Sequence, residues 1–181
     1  DNADPLYITY GYQGVCWAVA NGADVINMSW GGPGYSETEY KVLKEARDQN
    51  VILVASAGNN ANAKPVYPAA FGEGTTTQPW ETNDSRLVVA VASIDAYNNR
   101  SFFSSFAQWV DVSAYGTGIL STVANSSGGV HITNEYGAES GTSLAAPQVA
   151  GLAGLMRSYQ PSKSDEEIID CLLNTANADI Y

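Results

Sequence analysis

Apolar and polar positions follow two rhythms along this chain. Between Tyr12 and Asn21, Val15, Cys16 and Val19 fall on one face of a 3.6-residue repeat, which predicts a helix. Gly22 stops it as a left-handed C-terminal cap. Val25-Ile26-Asn27-Met28-Ser29 reads as a buried strand ending at Gly31-Gly32. Ser36 caps a helix expected to run to Gln49, with Glu39 placed to complete a capping box. Val51 to Ala55 is unbroken apolar sequence and Leu87 to Ile94 nearly so, which predicts strands covered on both faces. Shorter strands are expected near Val110-Asp111-Val112 and Ile119-Leu120-Ser121, and Val130 to Tyr136 reads as one arm of a hairpin. Thr142 to Tyr159 reads as a long helix. Its Ala145, Ala146, Ala150, Gly151, Ala153 and Gly154 are small enough to draw neighbours onto the backbone, which places the helix centrally. Pro147 is expected to be tolerated because it lies near the first turn, where backbone N–H groups lack helical partners. Ser164 and Glu167 open a last helix, ending near Asn174, with a second capping box.

Strands that alternate with helices predict an α/β fold with a parallel sheet covered on its faces. The segment 60–86, rich in Gly, Thr, Pro and Asn, reads as a long surface loop of the kind that often carries function. At 181 residues, 45% hydrophobic and 15% charged, the chain is expected to form one domain with a real core. The net charge of -11 argues against nucleic acid or an anionic membrane as partner, since phosphate binding needs clustered Lys and Arg. No apolar run reaches the length of a membrane span, and no basic start leads into an apolar leader. The start at Asp1, in a turn-like stretch, predicts a processed or truncated product. Cys16 and Cys171 do not make a disulfide framework; both are expected as buried free thiols, a single bridge being the alternative.

Candidate chemistry gathers at two places. Ser143 opens the small-residue helix, where free N–H groups and the positive end of the dipole favour a developing anion. In acyl transfer that anion is the oxygen of the tetrahedral intermediate, and a second donor is normally needed. Asn59 is the candidate donor. It follows Ala57-Gly58 just past the strongest strand, at the strand end where open α/β sheets bind ligands. Alone, a Gly-Thr-Ser or a Gly-Asn-Asn is most often a turn; the conjunction of both carries the reading.

Ser140-Gly141-Thr142-Ser143-Leu144-Ala145-Ala146-Pro147-Gln148-Val149-Ala150-Gly151 resembles the nucleophile motif of the subtilisin-like serine proteases, the subtilases. Val54-Ala55-Ser56-Ala57-Gly58-Asn59 is similar to their oxyanion-asparagine motif, and Gly22 to Gly32 to the strand and loop lining their cleft. Phe103-Ser104-Ser105-Phe106 and Val110-Asp111-Val112-Ser113-Ala114 follow in family order. The resemblance spans Tyr12 to Asn174. It implies a three-layer subtilisin-like α/β fold with a mostly parallel sheet, truncated at its N-terminal side, with 1–181 forming a single partial catalytic domain. It also implies that Ser143 is the nucleophile and that Asn59 and the Ser143 N–H hold the oxyanion. Ser29, Trp30 and Gly31 would pair with an extended polypeptide substrate, and Ser56, Ala57 and Gly58 would wall the first specificity pocket.

There are departures. Gln148 stands where the family usually has a non-catalytic His, Leu144 replaces a common Met, Tyr115 stands where Pro is frequent, and 72–86 looks like an insertion. The larger departure is that neither the Asp motif nor the His motif is present. His131, the single histidine, is badly placed to serve as base, and Asp111 matches a family position outside the triad. The expectation is therefore a serine endopeptidase in the parent protein, with this chain inactive alone. A missing N-terminal segment or a companion chain would supply Asp and His. The alternative is a non-catalytic pseudoprotease that binds peptides. The serine-carboxyl peptidases fit less well, because they carry Asp where Asn59 stands. No cofactor is expected to be required. Calcium is common in the family, but no acidic cluster here resembles a dedicated site. Export to the cell envelope or outside is expected, as is a homo-oligomer or swapped assembly if the sheet edge lies open.

Overall fold

The computed structural model describes residues 10–71, 86–123, 126–127, 130–131 and 135–178. The strands in chain order are β1 (Val25–Met28), β2 (Ile52–Ser56), β3 (Val89–Ile94), β4 (Val112–Tyr115), β5 (Ile119–Val123), β6 (Ser126–Ser127), β7 (Val130–His131) and β8 (Glu135–Glu139). The helices are α1 (Gly11–Ala20), α2 (Glu37–Asp48), α3 (Thr142–Tyr159) and α4 (Asp165–Asn174). The first four strands form one sheet in sequence order, every neighbouring pair parallel. β5 pairs antiparallel with β8, and β6 with β7. The expected hairpin arm at 130–136 is thus two strands in two different pairings.

β2 and β3 are buried at every position, as their unbroken apolar sequence requires. Their alternate residues divide two cores. Leu53, Ala55 and Ala90 join Val15 of α1 and Leu43 and Ala46 of α2. Ile52, Val54, Val89 and Val91 join Ala145, Val149 and Ala153 of α3 and Ile168, Ile169 and Leu172 of α4. Helices therefore cover both faces of the sheet, in three layers. α3 touches all four strands, and its alanines permit that approach. Its far side is open among the described residues. Leu155 is 71% exposed and Tyr159 85%, and an added Cβ at Gly151 or Gly154 would meet nothing. β1 is an edge strand of the sheet, with no second neighbour among the described residues.

Several expectations need correction. Cys16 and Cys171 are free, but both are exposed, because each helix turns that position away from its core. The segment after Asn60 is not all surface loop. Val66 and a 3-10 turn, Ala69–Phe71, are buried, and Tyr67 and Phe71 pack in an aromatic cluster with Tyr35. The insertion read at 72–86 lies outside the described residues except for Arg86. The capping box of α2 is half formed. Ser36 Oγ accepts from the Glu39 N–H at 3.4 Å, while the Glu39 carboxylate lies close enough to the Tyr12 hydroxyl to act on it. Burial first, and then the Glu39 charge, raises the pKa of that hydroxyl.

The box of α4 is complete: Ser164 Oγ accepts from the Glu167 N–H at 3.1 Å, and the Glu167 carboxylate accepts from the Ser164 N–H at 2.9 Å. That backbone bond, followed by Lys163, holds the Glu167 pKa below the usual carboxylate range. A carboxylate whose folded pKa is depressed adds stability above its unfolded pKa of about 4.3, and that share is lost as pH falls through the lower folded value. Glu167→Gln should therefore flatten the fall in melting temperature between about pH 5 and pH 3 relative to the parent. Parallel melting curves across that window would refute the assignment.

Candidate active site

The C-terminal ends of β1, β2 and β4 converge on the N-terminus of α3, at the sheet edge where α/β proteins bind ligands. β4 leads into Gly116, whose carbonyl accepts from the Gly141 N–H at 2.8 Å and so seats the start of α3. A side chain at Gly116 would run into Ser93 and come within 2.7 Å of the Gly141 carbonyl. After β2, Ala57 and Gly58 turn the chain toward α3. Gly58 has φ +96, a left-handed conformation that an L side chain resists.

Thr142 joins the two candidate motifs. It is fully buried. Its hydroxyl accepts from the Gly58 N–H at 3.1 Å and donates to Asn59 Oδ1 at 3.0 Å, and its own N–H also donates to Oδ1 at 2.9 Å. With Oδ1 tethered twice, the orientation of the amide is fixed by the network. Nδ2 is left at the mouth of α3, 3.4 Å from where a Cβ on Gly141 would stand. Asn59 itself is exposed to solvent, so Nδ2 can donate outward.

Ser143 and Ser29 face each other. Ser143 Oγ donates to the Ser29 carbonyl at 3.3 Å, and Ser29 Oγ donates to the Ser143 carbonyl at 2.9 Å. Asn27 Nδ2 donates to Ser29 Oγ at 2.9 Å. Pro147 lies a full turn inside α3, beyond the stretch where N–H groups lack partners. Its tolerance thus has a different cause from the expected one: the helical acceptor it leaves unserved is the Ser143 carbonyl, which Ser29 takes up.

The remaining candidates fall into place unevenly. Trp30 is half-buried and edge-on to Tyr12, with centroids 6.5 Å apart. Gly31 is exposed, and Gly32 exchanges two backbone bonds with Tyr67, at 2.9 and 2.8 Å. Ser56 and Ala57 are buried, so only their main chain and the half-buried Gly58 can border a pocket. Asp111 is a structural carboxylate. It accepts from Arg86 Nε at 2.6 Å and from the Ala90 N–H at 2.7 Å, linking β3 to the approach of β4. The backbone of His131 pairs with Ser126 in the β6–β7 ribbon; its side chain lies outside the described residues. Among the described side chains, no histidine or carboxylate hydrogen-bonds Ser143 Oγ, and no group of acidic, His or Cys residues is arranged to hold a metal ion.

Sequence reasoning did not assign roles to Thr142 and Asn27. Thr142 stands just before the candidate nucleophile Ser143, and Asn27 shares a strand face with Ser29 two positions on. Neither has a chemistry that stands out without its partners.

Residues 1–180 match the profile of Peptidase S8, the subtilase family. Alkaline elastase YaB of Bacillus sp. (strain YaB) is 34% identical over 164 residues, 91% of this chain and 38% of that protein. The minor extracellular protease Epr of Bacillus subtilis (strain 168) is 34% identical over 157 residues, 86% of this chain and 21% of that protein. Among solved structures, a protease from Pseudoalteromonas arctica superposes with a TM-score of 0.80 at 30% identity, covering 94% of this chain and 52% of that one. The chain thus spans about half or less of the length of these relatives.

Proposed function

Because this chain belongs to the subtilase family, we propose that it carries the acyl-transfer half of a serine endopeptidase site. Ser143 Oγ attacks the peptide carbonyl. The Ser143 N–H and Asn59 Nδ2 donate to the oxyanion, and the segment Ser29-Trp30-Gly31 pairs with the extended substrate as an added strand. Ser56, Ala57 and Gly58 border the first specificity pocket through their main chain. The observation that carries this reading is the double tether of Asn59 Oδ1 by Thr142, which aims Nδ2 across the start of α3 beside Ser143. Neutral groups held by a rigid network are what a preorganised oxyanion site needs. The reaction requires no cofactor.

The proton of Ser143 Oγ must pass to a base, and the proposed base is a histidine, oriented by an aspartate, on a segment outside these 181 residues. The open edge of β1 and the exposed far side of α3 are the surfaces on which such a segment, on the same polypeptide or a companion one, would dock. Left uncovered, these surfaces favour self-association of the isolated chain. Export is proposed with it, since one relative is named as an extracellular protease.

A fluorophosphonate probe tests the reading. The 181-residue chain alone should not be labelled at Ser143, whereas the polypeptide supplying the base should be labelled there stoichiometrically. Rapid labelling of the isolated chain would show that a base lies within it. No labelling of the longer protein would replace the peptidase with a peptide-binding pseudoprotease.

A further inference from the structure

A proline inside a helix removes one N–H and presses its ring on the carbonyl four residues earlier. In α3 the proline is Pro147 and the carbonyl belongs to Ser143. The residue proposed as nucleophile is therefore the one whose backbone acceptor the helix cannot serve. Ser29 Oγ occupies that acceptor at 2.9 Å, from a strand end across the cleft. A hydroxyl has a single proton. Since that of Ser29 goes to Ser143, the contact with Asn27 must be a donation from Asn27 Nδ2, which fixes the amide of Asn27 as well. The amide keeps this orientation although it leaves Asn27 Oδ1 buried with no hydrogen-bond partner among the described residues.

We propose that Asn27 and Ser29 are positioning residues for the nucleophile: together they supply the hydrogen bond that Pro147 withholds and so hold the Ser143 backbone in register with the oxyanion site. The two serines are joined by two bonds of different fate. The bond from Ser143 Oγ to the Ser29 carbonyl is broken when Oγ turns to attack and gives up its proton. The bond from Ser29 Oγ to the Ser143 carbonyl involves no reacting atom and persists through the step. The backbone that presents the Ser143 N–H thus stays fixed while the side chain moves. Preorganisation of this kind acts on the transition state more than on substrate binding.

The inference rests on the reading of Ser143 as the nucleophile, and a rescue experiment in the full polypeptide tests it. Ser29→Ala should lower kcat about tenfold, the value of one hydrogen bond, with KM within about twofold. Asn27→Ala, which keeps the Ser29 hydroxyl but frees it to rotate, should show a smaller loss in the same direction. Pro147→Ala restores an N–H facing the Ser143 carbonyl, so adding Ser29→Ala to that variant should cost kcat little further. A Ser29→Ala loss as large with Ala at 147 as with Pro, or no loss with Pro in place, overturns the proposal.

A readout free of catalysis separates the two readings. In a Ser143→Ala background, which keeps the carbonyl, Ser29→Ala should speed amide hydrogen exchange over 142–149, and Pro147→Ala should reverse the change. If the fluorophosphonate does not phosphonylate Ser143 of the full polypeptide, the peptidase reading falls, and this exchange comparison still decides the positioning role. Unchanged exchange sinks it.

Discussion

Asn59→Ala is expected to lower kcat on peptide substrates by roughly 10²- to 10³-fold, about 3 kcal/mol, with KM nearly unchanged, as loss of the oxyanion-asparagine donor does in subtilisin. The geometry does dictate the pattern. Only Nδ2 is available to a developing oxyanion, because Oδ1 is committed to the N–H and hydroxyl of Thr142. Asn59→Asp separates tether from donor: it keeps an acceptor for Thr142 and removes the N–H, so it should be at least as damaging as alanine. Asn59→Asp should leave the melting temperature near that of the parent, whereas Asn59→Ala, which removes the acceptor of the buried Thr142 N–H and hydroxyl, should also lower it. Steady-state kinetics on a peptide anilide, normalised by active-site titration of the full polypeptide, measure the effect. A kcat within about fivefold of the parent would remove Asn59 from the site.

The largest effect on stability is expected at Asp111, at about 3 kcal/mol for Asp111→Ala. The side chain is 3% exposed and that of its partner Arg86 23%, so the pair is largely withdrawn from water. Alanine takes the carboxylate away from the guanidinium of Arg86 and also removes the acceptor for the Ala90 N–H. Asp111→Asn keeps an acceptor of the same shape and should cost less. The folded fraction should retain its rate of Ser143 labelling, which distinguishes this carboxylate from one that orients a base. Denaturant titration of the full polypeptide gives the stability. A loss under about 1 kcal/mol would mean that the pair is no more than a surface bridge, and a collapse of labelling in folded protein would return Asp111 to the chemistry.

Much of this arrangement is legible in the sequence for local reasons. Unbroken apolar runs mark β2 and β3 because central parallel strands are covered on both faces. The caps at Ser36 and Ser164 and the stop at Gly22 follow from side chains and backbone angles within a few residues. Ser143 and Asn59 stand out because each lies at an element's end. What escaped notice depends on partners remote in sequence. Glu39 forms only half of its capping box and acts on Tyr12 of another helix, which only the packing of α1 on α2 decides. Pro147 looked like a residue of the first turn; its true relation is with Ser29, on a strand end far upstream. Burial of Val66 and Phe71 was hidden by a segment whose composition is that of a loop. Cys16 and Cys171 are apolar by type, but neither faces the core of its helix.

The order of the elements along the chain also shapes how the site comes into being. The strands pair with their sequence neighbours and can assemble as the chain lengthens, whereas α3 comes after all four and must settle across them. The contacts that define the chemistry are among those of longest sequence separation: Ser29 to Ser143 spans 114 residues and Asn59 to Thr142 spans 83. Such closures are slow and come late in folding. A nascent or half-folded chain can hold its sheet yet have no aligned hydroxyl and no aimed amide. The alignment of Ser143 with Asn59 would then be completed by the last docking event, and lost first when α3 detaches.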